Sequence, residues 1–123
     1  IQLQKLRSVI ITTYPVNNNI PKLAAQIKAN PEDSFSKFAL ALELIKIDQP
    51  NKALTLFQNI RQHSPNYIGV YYHLAKLYIE LGENNLAIET YKEGIEIAVA
   101  ISDLHAKSEL QGALMNLQLD IED

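Results

Sequence analysis

Apolar residues recur every three or four positions through most of the chain, the spacing of helices that each bury one face. Phe35, Phe38, Leu42 and Ile45 form one such run, and Ala53, Leu54, Phe57 and Ile60 form the next. Tyr71, Leu74, Ala75 and Tyr78 form a third, and Leu86, Ala87, Ile88, Tyr91 and Ile95 a fourth. Turn chemistry separates them. Asp33 and Ser34 stand where the free N–H groups of a helix need acceptors. Asp48-Gln49-Pro50 ends one run and opens another, because proline cannot continue a helix interior yet suits a first turn. Ser64-Pro65-Asn66 divides the second run from the third, and Gly82 supplies a left-handed stop.

The flanks follow the same logic less regularly. The fourth helix is expected to run on to about Ala100, with Ser102 as a break and Asp103 as an N-cap. Leu110, Ala113, Leu114, Leu117 and Ile121 then make the apolar stripe of a final helix, opposite Lys107, Glu109, Gln111, Asn116 and Gln118. One continuous helix from Asn85 to Leu119 is the competing reading. At the other end, helices over Gln2 to Thr13 and Ile20 to Ala29 are expected, although Val9-Ile10-Ile11-Thr12-Thr13 is β-branched and a poor helix former.

These runs are copies of each other. A shift of 34 places Pro31 on Pro65, Leu40 on Leu74, Ala41 on Ala75, Ile45 on Ile79, Asn51 on Asn85 and Ala53 on Ala87. Phe38 on Tyr72 and Phe57 on Tyr91 are near matches in the same frame. The matches fall on small and apolar positions at helical spacing, the signature of a stacked repeat. Ala41, Ala53, Ala75 and Ala87 are expected where helices approach closely, with Leu40, Leu74, Phe57 and Tyr91 filling the space between layers.

Composition narrows the function classes. The chain has 123 residues, 47% hydrophobic and 20% charged, with a net charge of −3. That is the composition of a soluble globular domain. Only Lys5 and Arg7 approach a basic patch, so nucleic acid is not an expected partner. No apolar run nears the roughly 20 residues that span a bilayer, so no membrane partner is expected either. The absence of Cys excludes disulfides, thiolate metal sites and a Cys nucleophile. It fits a cytoplasmic protein, although the start at Ile1 rather than Met leaves a removed export signal open. His63, His73 and His105 show no metal-ligand spacing, no glycine loop cradles phosphate, and no Ser sits in a nucleophile elbow. Neither an enzyme, a metal nor a cofactor is expected.

The repeat resembles the tetratricopeptide repeat (TPR) family. Leu40, Ala41, Leu44, Ala53, Phe57 and Pro65 in the first full unit carry the likeness, as do Tyr71, Leu74, Ala75, Tyr78, Gly82, Ala87 and Tyr91 in the second. The first unit departs at Lys37, where a large apolar residue is usual, and at Asp48, where Gly is usual. The second departs at Val99, where Pro is usual. The segment from Asp103 to Leu117 is similar to the closing helix of short bacterial TPR proteins. The resemblance implies an all-α fold, a right-handed α–α superhelix of helix pairs with a C-terminal capping helix. The expected organisation is a single domain over 1–123. It divides into a degenerate N-terminal pair (1–30), repeats at 31–64 and 65–101, and a capping helix (102–123).

The family's function is protein–protein interaction, which implies a short peptide or helix of another protein bound in the concave groove. The frame puts Phe35, Phe38, Leu42 and Ile45 on that face in the first unit, and Tyr72, His73, Lys76 and Ile79 in the second. A clamp for a C-terminal carboxylate is not expected, because Phe38 and Leu42 stand where Lys and Asn would be needed. An apolar or amphipathic helix fits better. The alternatives are that residues 1–29 fill the apolar face, that it makes a homodimer, or that the domain is a structural spacer.

Overall fold

A computed structural model describes residues 19–122, which form six helices: α1 (Asn19–Ala29), α2 (Ser34–Lys46), α3 (Pro50–His63), α4 (Gly69–Glu80), α5 (Asn84–Ala100) and α6 (Leu104–Glu122). Each helix packs on the next in chain order, and α4 also meets α6. Among the described residues there is no strand. The expected helix over Gln2 to Thr13 lies outside the described residues.

Local chemistry explains where the helices begin and end. Asp33 caps α2, its carboxylate accepting from the Ser36 N–H at 3.1 Å. The Ser36 hydroxyl, which donates to the same carboxylate, and then that N–H hold the Asp33 carboxyl below its usual value. The same hydroxyl sits 3.1 Å from Gln26 Oε1, linking α1 to the cap. Asp103 caps α6 in the same manner, accepting from the Ala106 N–H at 2.9 Å. α2, α4 and α5 all end in one motif. The next residue but one turns left-handed, at Asp48 (φ 61°), Gly82 (φ 79°) and Ser102 (φ 60°). The N–H that follows reaches back to Leu44, Tyr78 and Ala98 respectively, each at 2.8 Å. Asp and Ser thus take a backbone conformation in which glycine is freer. The break at Ser102 also resolves the end of the chain into two helices rather than one.

The core follows the repeat frame. Ala41, Ala53, Ala75 and Ala87 are all fully buried at 0% exposure. Phe57, Ile60, Tyr71 and Leu74 fill the spaces they leave, while Leu40 is only half-buried. Lys37 is buried although it replaces a large apolar residue: its stem packs and its ammonium donates to Asn59 Oδ1 at 2.7 Å. Tyr71, its equivalent in the next unit, does the same with a ring and donates its hydroxyl to the Pro65 carbonyl. The partner positions compensate. The frame sets Ile60 opposite the slender Lys37 stem and Gly94 opposite the Tyr71 ring.

One expectation fails. Ile121 was assigned to the buried stripe of the last helix, but it is 47% exposed, while Leu110 and Leu117 are buried. The last turn of α6, Gln118 to Glu122, is exposed throughout, so the stripe ends at Leu117.

Gly94 is the most tightly packed of the four glycines. A Cβ there would lie 2.6 Å from Tyr71 Cβ and 3.0 Å from Leu110 Cδ1. Alanine would gain about 0.5–1 kcal/mol in helix propensity. Overpacking of this kind costs about 1–3 kcal/mol and outweighs it. Gly94→Ala is therefore expected to lower the urea unfolding midpoint; an unchanged or higher midpoint would contradict the packing described.

Candidate peptide-binding groove

The first helix of each pair supplies the inner wall of the stack. Between α2 and α4 lies a cavity of about 370 Å³ with Leu42, Ile45 and Leu77 as its apolar lining. Charged groups ring it: Glu43 pairs with Lys46 at 3.2 Å, and Lys76 and Glu80 come from α4. A second cavity of about 260 Å³ lies between α4 and the start of α6. Tyr72, Gly69 and Leu110 give it apolar surface, and Asp103 and Glu109 give it an acidic edge. Glu109 pairs with His105 one turn away.

His73 lines both cavities. It belongs to a chain of rings that crosses from one unit to the next. Phe38 lies 5.2 Å from it edge-on, Tyr72 5.5 Å and Phe57 6.4 Å. The chain extends to Tyr67 through Phe38, at 5.4 Å, and to Tyr91 through Tyr72, at 6.4 Å. Aromatic pairs in tilted and edge-on arrangements each add about 0.5–1.5 kcal/mol beyond the area they bury. The Lys76 ammonium sits 5.8 Å from the centre of the Tyr72 ring, within range of a cation–π contact.

The eight residues expected on this face divide into three groups. Leu42, Ile45, His73 and Lys76 line the α2–α4 cavity, and Tyr72 joins His73 in the second. Phe38 is drawn into the ring chain, where it packs against Phe57 at 5.9 Å. Phe35 (68% exposed) and the half-buried Ile79 line neither cavity. The α6 residues Asp103, His105, Ala106 and Glu109 were not anticipated. The sequence pattern predicts a capping helix with one buried stripe, yet these residues share the side that turns toward α4. No α1 residue lines either cavity.

Among the described residues no cluster of His, Asp and Glu could hold a metal ion, and no helix is long and apolar enough to cross a membrane.

A directional stack of antiparallel helix hairpins with a groove along its first helices is the architecture of a helical repeat protein. The family model described as "Tetratricopeptide repeat" matches residues 44–114. A tetratricopeptide repeat domain protein from Salinibacter ruber, solved by crystallography, is 42% identical; the match covers 70% of this chain and 96% of that one, with a TM-score of 0.67. The chain belongs to the tetratricopeptide repeat family. Two more distant structures share the fold over almost the whole chain. The TPR2B domain of yeast Sti1, in a complex with pHsp70, is 18% identical, covers 97% of this chain and 94% of its own, and has a TM-score of 0.77. PcrH, in complex with the chaperone-binding region of PopD, is 14% identical, covers 99% and 94%, and also scores 0.77. The stack is thus an all-α, right-handed α–α superhelix. A comparison with curated proteins finds no match.

Burial disfavours the His73 imidazolium, and the Lys76 ammonium adds repulsion, so this histidine titrates below the usual 6.5. The unfolded chain then binds a proton that the folded chain resists. The stability held by neutral His73 is full above pH 6.5 and is lost as pH falls through the lower, folded value. In His73→Gln the fall in thermal midpoint between about pH 6.5 and 5 is expected to be shallower than in the parent. Identical slopes would show that His73 does not carry it.

Proposed function

We propose that the groove formed by α2, α4 and the start of α6 holds a short segment of another protein through two apolar anchors, one on each side of His73. The pairing of cavities across that ring is the observation that carries the reading. A cavity of about 370 Å³ is near the small end of ligand pockets, large enough for one bulky side chain and too small for a folded surface. Tetratricopeptide repeat domains mediate protein–protein interactions, and both distant structural neighbours are complexes with protein partners.

The chemistry of the walls describes the segment. Leu42 and Ile45 accept an aliphatic or aromatic side chain. Tyr72 and Leu110 accept a second beside the acidic edge of Asp103 and Glu109, which favours a neighbouring Lys or Arg. Lys76 and the Glu43–Lys46 pair give polar contacts at the rim. Phe35 and Ile79 lie beyond the cavities and extend the apolar surface available to a longer segment. An amphipathic helix with anchors on one face meets these demands. The protein acts as an adaptor and performs no reaction of its own.

Peptides selected from a phage-displayed helical library against the whole chain provide the probe. Leu42→Asp places a charge in the apolar cavity and is expected to weaken the selected peptides roughly tenfold or more, while circular dichroism stays helical. Amide shifts on titration are expected to concentrate on α2, α4 and the first turns of α6. Equal affinity for Leu42→Asp, or shifts confined to the outer faces of α3 and α5, would overturn the groove assignment.

A further inference from the structure

The outer face of α6, turned away from both α5 and the groove, is built differently from the other exposed surfaces. Leu104, Met115 and Leu119 stand on it at 74%, 62% and 55% exposure, with Ser108 and Gly112 between them. The side chains flanking this stripe toward its middle, Gln111, Asn116 and Gln118, carry no charge. A helix face left in water is ordinarily polar, so this apolar stripe is made for contact. The pattern is also self-complementary. Leu104 and Leu119 are equidistant from the Gln111–Gly112 peptide bond, and so are Ser108 and Met115.

We infer that α6 is a dimer interface, docking antiparallel on the α6 of a second copy about a two-fold axis at Gln111–Gly112. In that register Leu104 meets the second copy's Leu119, and the large Met115 meets the small Ser108. Gly112, whose missing side chain leaves open space around it, lets the two backbones approach at the centre. An antiparallel pair about such an axis sets like edges together. Lys107 then lies on the same edge as the second copy's Gln118, and Glu109 on the same edge as its Asn116, each within about one helical turn, so each charge has an amide within reach. Glu122, the one acidic residue on the stripe, falls beside the N-terminus of the opposite helix, where the helix dipole favours an anion. The contact is isologous and closes on itself, so it makes dimers and no fibre. It leaves the groove between α2 and α4 open, and gives the protein two copies of it.

The whole chain is expected to sediment with a mass near twice 13.9 kDa. Met115→Lys and Leu119→Lys are expected to halve that mass without loss of helicity, because both side chains are exposed. The chain has no cysteine, which makes single-cysteine crosslinking clean. Gly112→Cys sits at the axis and is expected to form an intermolecular disulfide on mild oxidation. Leu104→Cys is expected not to, since antiparallel packing holds it about 22 Å along the helix from its own copy. A monomer at the highest soluble concentration, a dimer that survives both lysine variants, or equal crosslinking at the two cysteine positions would each overturn the proposal. So would a dimer that Leu42→Asp dissociates and the α6 variants do not.

Discussion

Close approach of helix backbones is the constraint on which this molecule depends. Ala41, Ala53, Ala75 and Ala87 have no exposed surface, and Gly94 leaves no room even for a methyl group beside Tyr71. Because the helices lie that near, Phe57, Leu74 and Tyr71 can reach across and close the core of a chain this short. The same spacing sets the distance between α2 and α4, and so the width of the groove between them. Packing and function are therefore not separable here. A residue that widens the stack at Gly94 also moves the wall on which His73 and Tyr72 stand.

The ring chain through Phe38, His73 and Tyr72 shows how one set of side chains serves both ends. Phe38 touches Phe57 below it and His73 beside it, so it fixes the angle between the units. His73 then reaches both cavities with its neutral ring, a polar group held among aromatic ones. Lys76 and the acidic residues of α6 surround this ridge with charge of both signs. In the proposed reading, this surface takes up apolar side chains by fit and their neighbours by charge.

Much of the fold was legible because a 34-residue period needs only sequence to be seen. The small positions, the caps at Asp33 and Asp103 and the stop at Gly82 each carry a residue type that local chemistry demands. Less direct was the treatment of places where the frame was broken. Lys37 reads as a surface residue in a core position; only the structure reveals that Asn59 receives its ammonium. The cavity lining was legible on α2 and α4, whose pattern the repeat fixes, and illegible on α6. No period reaches that helix, and its contribution at Asp103, His105 and Glu109 depends on how it crosses α4. Helical spacing puts Phe38 on the open face, and the structure adds that its ring also leans onto Phe57 and His73. Apolar residues on both sides of α6 blurred its pattern further. Its inner stripe can be read, and Ile121 fits it by period although the last turn of the helix is exposed.

A photo-crosslinking amino acid tests the central claim without presuming the partner's identity. It is placed at Leu42 in the groove in one form of the chain, and at Lys92 on the exposed side of α5 in another. After irradiation with a selected peptide, the account predicts adducts from position 42 and none from position 92. Adducts from position 92 with none from position 42 would contradict it, and the binding face would have to be sought on the second helices of the stack.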